Sequence, residues 1–575
     1  MATGAFEIVN FSCKVRPDLT FYLYVTRLKS GYRLWHFGMT ICGFDLRLTH
    51  SVGFFVWCPH TVTFLLDWRM ITQNVLCLMR KHLQVGALIG MCLAESTLAA
   101  AQYTGAQVTY TDVSSRVPAA LANDQTCFVD VNNDHYVDLI SGGVIWLNVR
   151  GTSFKNIGSA RNVVAADYDN DGLPDLFSWS ERTLLRNIDG NKFVGIPLPA
   201  LPEGVSRGAC WSDFNSDGFV DLVVGGYEDW DRGITYPTTF LRNDAGKGFT
   251  QVFTDSTFRT RGISAADYDR SGRPSVYMSN YRLQPNNLYV IGAQGTDSKA
   301  NGLGAPFVDF ATLRNALGTS VGFDGGHSIG SAWGDIDNDG WLDLFVGNFA
   351  HVDSRGDQPK SRVLRSSGPS GRFVFDDLGA AGLAYQESYA SPALADADND
   401  GRLDLFFTTV YGTASFGLRN FPVLMRNHGA CWFSDMTEVA GLAGLPPTYQ
   451  AAWADVNNDG VLDLSSGGKL FLGKVSRPRN WIGISLEGDG KRVNRLAIGA
   501  QVVLRANGQL QTRQVEAGTG EGNQSDLRLH FGLGARCTSV DMDVYWPDGT
   551  KQHLRHMATD RFHVVKMGGT RSAYR

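Results

Sequence analysis

The chain offers little to support thiol, zinc or nucleotide chemistry. Its nine cysteines form no CxxC pair. Five (Cys13, Cys42, Cys58, Cys77, Cys92) fall in the first hundred residues, and Cys127, Cys210, Cys431 and Cys537 are scattered, which argues against a cysteine metal or redox centre. Cys127 and Cys210 each stand three residues before an acidic loop, where small buried strand residues are expected. His327, His351, His428 and His530 show neither HxxxH nor HExxH spacing, so each reads as a packed or surface histidine. No P-loop, GxSxG or paired Cys/His constellation rises above noise. There is no basic patch with interleaved aromatics, which argues against nucleic acid as a partner. Ser51–Trp68 is apolar, but Pro59, His60 and Asp67 weaken it as a spanning helix. No stable membrane span is therefore expected in the mature chain.

What is abundant is glycine, with 65 residues, together with an 11% aromatic fraction. That combination suits many short strands joined by tight turns. The net charge of −5 arises with the acidic residues gathered into loops, where a bound cation would neutralise them.

The organising stretch is 331–348, SAWGDIDNDGWLDLFVGN. Asp335, Asp337, Asp339 and Asp343 occupy positions 1, 3, 5 and 9 of a loop with Gly340 at position 6. Alternate carboxylates on a tight turn deliver the six to eight oxygens that Ca²⁺ takes, and the carbonyl of Trp341 at position 7 can join them. Unlike an EF-hand, the loop closes with Asp at position 9 and is flanked by short strands. Its copies start at Asp130, Asp167, Asp213, Asp335, Asp396 and Asp455, with a degraded one at Asp267, and their separations run from 37 to 68 residues. A fixed unit with variable insertions is the signature of a propeller or solenoid.

The six intact copies give six candidate Ca²⁺ sites. Their ligands would be Asp130, Asn132, Asp134, Tyr136 and Asp138; Asp167, Asp169, Asp171, Leu173 and Asp175; Asp213, Asn215, Asp217, Phe219 and Asp221; Asp335, Asp337, Asp339, Trp341 and Asp343; Asp396, Asp398, Asp400, Arg402 and Asp404; and Asp455, Asn457, Asp459, Val461 and Asp463. Tyr136, Leu173, Phe219, Trp341, Arg402 and Val461 contribute backbone carbonyls only. The fourth copy has Ser271 and Ser275 where carboxylates belong, and is expected to bind weakly or not at all. The first has His135 in place of glycine, tolerable because histidine visits positive φ.

Residues 1–78 show no repeat and are read as an upstream extension outside the native product, with an internal membrane segment as the alternative. Residues 79–101 have a start, a basic cluster, an apolar run and an Ala99-Ala100-Ala101 site, as in a secretory signal. A secreted, extracellular or periplasmic location follows. From 102 each unit shows four strands: one entering the loop, one leaving it, a third such as TLLRN or VLMRN, and a fourth such as RFVFDDLGAAGL. The seventh unit lacks its fourth strand, and Gln107–Val117 (QVTYTDVSSRV) matches it, so the N-terminus of the mature protein is expected to complete the last unit and remove an exposed edge. The fold class expected is all-β: a seven-bladed β-propeller over 102–478. Residues 479–570, with alternating runs and an Asn507-Gly508 hairpin signal, form a small β-sandwich-like domain.

The DxDxDGxxD loops resemble the FG-GAP/VCBS repeats of integrin α-subunit propellers. IGAQVVL, GTGEGNQSDLRLHFGLG and VYWPDG resemble the ASPIC/UnbV domain of the cartilage acidic protein family. Together they cover about 102–570. The resemblance implies a secreted, calcium-binding propeller with a C-terminal β-domain. The function expected is an extracellular module that binds a glycan or a protein through insertions at 227–240, 282–304 and 349–362. The alternative is an enzyme, such as a polysaccharide lyase or a biosynthetic tailoring catalyst, which requires a Tyr/His/Arg or paired-carboxylate cluster converging at the channel. Arg355-Gly356-Asp357 spells RGD, a tripeptide short enough to arise by accident.

Overall fold

The computed structural model describes residues 7–16, 19–27, 33–41 and 44–48, then 108–291 and 307–574 apart from 321, 354–355 and 570. The chain divides into two units, Met1–Gly105 and Ala106–Arg575. In the first, Glu7–Arg16, Leu19–Arg27, Arg33–Ile41 and Phe44–Leu48 pair in sequence order as an antiparallel meander. The signal-like stretch 79–101, the end of the 282–304 insertion and Arg355 of the RGD string lie outside the described residues.

The second unit holds seven four-stranded antiparallel sheets of one plan. In the fifth, Ser328–Gly334 enters the acidic loop, Asp343–Asn348 leaves it, and Arg362–Ser366 and Phe375–Asp377 follow outward. The first strands of the other six are Cys127–Val129, Val163–Ala166, Ala209–Ser212, Thr260–Ala266, Tyr389–Ala395 and Ala452–Ala454. The seventh sheet takes its fourth strand from the segment just before the first sheet, as expected: Val108–Asp112 pairs with Lys469–Val475, with Gly473 opposite Tyr110. Almost no helix is present among the described residues. The described residues include three 3₁₀ turns, and none of their helices is long and apolar enough to cross a membrane.

Side chains alternate across a strand, and here both faces are buried. Leu344 and Val346 pack with Tyr268, Tyr277 and Leu288 of the fourth sheet, while Phe345 between them packs with Tyr389, Leu405 and Phe407 of the sixth. The same division recurs between each pair of successive sheets. The last cluster joins Ala452, Val456 and Leu470 of the seventh sheet to Phe128, Leu139 and Trp146 of the first. First strands likewise contact one another in order, the seventh touching the first. Trp211, Trp333 and Trp453, one residue deeper than Cys210 and its equivalents, are core residues.

The C-terminal segment forms two further sheets. One has the order Leu529–Gly534, Asn480–Glu487, Phe562–Lys566, Arg571–Tyr574, with Asn480–Glu487 parallel to Phe562–Lys566; the other has the order Gln509–Gln514, Gln501–Ala506, Ser539–Tyr545, Lys551–Ala558. Their inner faces share Ile482, Ile484, Val502, Leu504, Phe531 and Val544, a core that runs on into Val164, Phe177 and Leu222 of the second and third sheets.

Deleting the chain through Asp112 uncovers the edge of Lys469–Val475 and removes the buried Val108 and Tyr110. A thermal midpoint lowered by several degrees with increased self-association is expected, measured by calorimetry and light scattering; an unchanged midpoint would contradict the pairing.

Candidate functional site

Each acidic loop is knitted by its own carboxylates. Outside the fifth loop the position-1 Asp accepts from the backbone amides of positions 5 and 6: Asp167 Oδ1 from Asp171 N at 3.1 Å and Oδ2 from Gly172 N at 2.8 Å, and Asp455 likewise from Asp459 and Gly460; in the fifth, Asp335 accepts from Gly340 N while Asp339 N donates to Asp337. The position-9 Asp is buried and bridges two strands. Asp343 Oδ2 accepts from Ile336 N at 2.9 Å and Oδ1 from Ser366 N at 2.8 Å, a pattern repeated by Asp138, Asp175, Asp221, Asp404 and Asp463. The amides of Tyr136, Leu173, Phe219, Trp341, Arg402 and Val461 donate to the position-5 carboxylates. His135 has φ 72, in the left-handed region as expected.

The loops are also tied to one another. The side chain at position 4 donates to the position-6 carbonyl of the next loop: Asn133 to Gly172, Asn170 to Gly218, Ser216 to Gly272, Arg270 to Gly340, Asn338 to Gly401, Asn399 to Gly460, and Asn458 back to His135. The last bond, 3.0 Å long, spans 323 residues. Four third-strand asparagines add a second link. Among them, Asn148 donates to Val456 O at 2.8 Å, again joining first and seventh sheets.

Three loops bring carboxylates together so that one oxygen from each lies within 4.8 Å of the others: Asp167, Asp169 and Asp175; Asp335, Asp337 and Asp339; Asp396, Asp398 and Asp404. Loops one, three and seven carry Asn132, Asn215 and Asn457 at position 3, whose amides donate to Asp134, Asp217 and Asp459. An all-oxygen donor set suits a hard cation. Burial pushes Asp138 and Asp175 up to about 8, and Asp167, Asp213 and Asp335 up to about 7. Arginines stand at two of the clusters: Arg186 lies 2.7 Å from Asp169, and Arg426 and Arg479 lie 2.9 and 2.7 Å from Asp398. The fourth loop keeps the turn, with Ser271 N donating to Asp267 at 2.9 Å. There Arg270 replaces asparagine and stacks on Trp341 and Tyr545.

The C-terminal sheets cover these loops and bond to the same carboxylates. Thr512 N donates to Asp335 Oδ2 and Gly532 N to Asp396 Oδ2, both at 2.9 Å. The segment 517–526 then threads among the first strands and touches all seven sheets. Trp211 N donates to Ala517 O, Gly520 N to Ser331 O, Trp179 Nε1 to Gly522 O, Phe128 N to Gln524 O and Asp526 N to Trp453 O; Glu521 N donates to Ser391 Oγ, and its carboxylate pairs with Arg261. Sequence reading found this string only as a resemblance. Its polar, glycine-rich composition has no periodicity to betray a buried role.

The acidic loops join first to second strands, so the connections from second to third strands emerge at the opposite end of each sheet. There Arg261 sits in a box of Tyr227, Tyr281 and Tyr449, each ring centroid 5.2–5.4 Å away. His327 packs edge-on to Tyr281 and to His351, and His351 Nδ1 lies 2.8 Å from Glu387 Oε1. The insertions at 227–240, 282–304 and 349–362 therefore contribute to one surface through Tyr227, Arg282 and His351, joined by residues the sequence reading did not single out. The string GHSIG at 326–330 has the GxSxG form, but Ser328 opens a strand and donates to Asn348 at 2.6 Å, without the strand-to-helix turn that exposes such a nucleophile.

Residues 335–407 match the FG-GAP-like repeat family, and residues 490–572 match the family described as ASPIC and UnbV. The chain is similar to cartilage acidic protein 1 of Mus musculus, 27% identical over 367 residues, covering 62% of this chain and 50% of that protein. It is also similar to cartilage acidic protein 1 of Homo sapiens, 27% identical over 349 residues, covering 59% and 47%. The chain is homologous to these proteins at modest identity and spans about half the length of the curated relatives it matches.

Unfolded aspartates ionise near 3.8, whereas Asp138, Asp167 and Asp175 of the metal-free fold hold their protons to about 7 or 8. These groups stabilise the metal-free fold fully below pH 3.8, and that contribution is lost as pH rises through 8. A cation that needs them ionised acts in the opposite sense. The difference between melting temperatures in calcium and in EDTA is expected to widen from pH 5 to pH 8; a constant gap would contradict this reading. Separately, Gly522 has φ +69, and a Cβ there would lie 2.7 Å from the Trp179 ring. Gly522→Ala is expected to destabilise by about 1–3 kcal/mol, read by denaturant titration, and no change would mean the inserted segment is dispensable.

Proposed function

We propose that the chain is an extracellular interaction module: a closed seven-bladed β-propeller stapled by about six calcium ions and covered on its loop face by a C-terminal β-sandwich. The observation that carries this reading is the position of the acidic loops. They are bonded to their own strands, to each other and to the C-terminal sheets, so a bound ion would cross-link structure. The cyclic order of sheet contacts supports the seven blades, and the seventh sheet's pairing with Val108–Asp112 supports closure. Calcium would be held by the carboxylates and amide oxygens at positions 1, 3, 5 and 9 with the position-7 carbonyls. Six sites, the domain limits 102–478 and 479–570, and secretion from a signal at 79–101 all belong to this proposal. Similarity to cartilage acidic protein 1 supports an extracellular setting. The face away from the loops is left to meet a glycan or protein.

A second reading is favoured by one observation. The tyrosine, histidine and arginine grouping that an enzyme would need does converge, at Tyr281, His327, His351 and Arg261. This reading predicts elimination from an acidic polysaccharide, with His351→Ala abolishing turnover; absence of any unsaturated product would remove it.

The module is tested by presenting the protein to a broad array of glycans and extracellular proteins in calcium and again in EDTA. Calcium-dependent capture of a defined ligand is expected, and a blank array with folded protein would contradict the reading. In parallel, Asp343→Ala should lower the thermal midpoint in calcium far more than Ser275→Ala, because each site held at about 100 times its Kd contributes about 2.7 kcal/mol; equal effects would mean the fourth loop binds too.

A further inference from the structure

On the face opposite the metal loops, four guanidinium groups meet two carboxylates. Glu228, with a side chain 5% exposed, holds both Arg259 and Arg282 at 2.8 Å. Arg261 is paired with the buried Glu521, whose second oxygen, Oε2, has no hydrogen-bond partner. Arg207 is exposed and lies 5.4 Å from the Tyr227 ring centroid, with no ion-pair partner among the described residues. Among these six groups the positive charges outnumber the negative by two, while Asp229, paired with Arg232, and the exposed Asp231 flank Trp230. Beside them Trp230 is 65% exposed, with the Arg282 guanidinium 3.8 Å from its ring centroid, and Tyr411 is 59% exposed.

We propose that this surface binds an acidic oligosaccharide, with Arg207, Arg259 and Arg282 meeting its carboxylate or sulfate groups and Trp230 stacking on a sugar ring. The inference rests on the interaction-module reading and narrows its ligand. Guanidinium forks match planar or trigonal oxyanions with paired hydrogen bonds. Holding two arginines on one buried carboxylate pre-sets their direction, so little side-chain freedom is lost when an anion arrives. Exposed aromatics separated by charges suit a chain of polar rings better than they suit a protein partner, whose hot spots cluster in a desolvated apolar centre.

The test is calorimetric titration of the full chain in calcium with three oligosaccharides of equal length: sulfated uronate, unsulfated uronate and neutral. Binding of one or both acidic probes is expected, with the neutral probe at least tenfold weaker. Arg207→Glu, a surface change, should weaken acidic binding at least tenfold without moving the melt. Arg207→Glu with Arg282→Glu should abolish it, and Arg555→Glu on the exposed C-terminal strand should leave it unchanged. Equal binding of the neutral probe, indifference to Arg207→Glu, or no binding by any probe would overturn the proposal. Capture of a protein ligand with no oligosaccharide bound would overturn it while leaving the interaction module standing; failure of both would remove the module as well.

Discussion

Phe345 and Val346 are neighbours in one strand, yet they belong to different cores, one shared with the sixth sheet and the other with the fourth. A sheet apolar on both faces cannot stand alone, because either face left in water forfeits about 25 cal/mol for every Å² exposed. Each sheet must therefore find two neighbours, and a row of them always leaves two ends uncovered. Here the ends meet each other: Phe128 and Leu139 of the first sheet pack on Ala452 and Leu470 of the seventh. The strand Val108–Asp112, crossing from just before the first sheet to pair in the seventh, and the bond from Asn458 to His135 serve the same need.

The acidic loops sit where this arrangement is most constrained. Their inner carboxylates are buried, and their proton affinity is raised by loss of water. A divalent cation would relieve that penalty while adding no flexible partner, whereas Arg426 and Arg479 do so at the sixth loop with long side chains. Because Thr512 and Gly532 donate to Asp335 and Asp396, the charge state of the loops is coupled to the seating of the C-terminal sheets. Those sheets in turn deliver the segment 517–526 to all seven first strands. Loops, sheets and inserted segment thus form one mechanical unit, which leaves the opposite face free to vary.

Much of this was legible in the chain. The DxDxDGxxD spacing located the strands on either side of each loop, because local turn chemistry dictates them. The missing strand of the seventh unit was found by matching QVTYTDVSS to its fourth-strand equivalents. The loop-to-loop bonds were hidden because Asn at position 4 looks like ordinary turn chemistry, and its partner lies in another repeat. The role of GTGEGNQSD was hidden for a related reason: a stretch that pairs with itself at Thr519 and Asn523 alone, and otherwise bonds to distant strands, carries no period of its own. The surface around Arg261 draws on loops from several sheets, and no linear spacing relates Tyr227, Tyr281, His351 and Tyr449.

Equilibrium dialysis against calcium, with Asp343→Ala as the comparison, tests the central claim most directly. The account predicts about six ions for each chain and one fewer in the variant, with the fourth loop contributing none. No bound calcium, or a count that Asp343→Ala leaves unchanged, would contradict it and leave the buried carboxylates to be explained by protons and arginines alone.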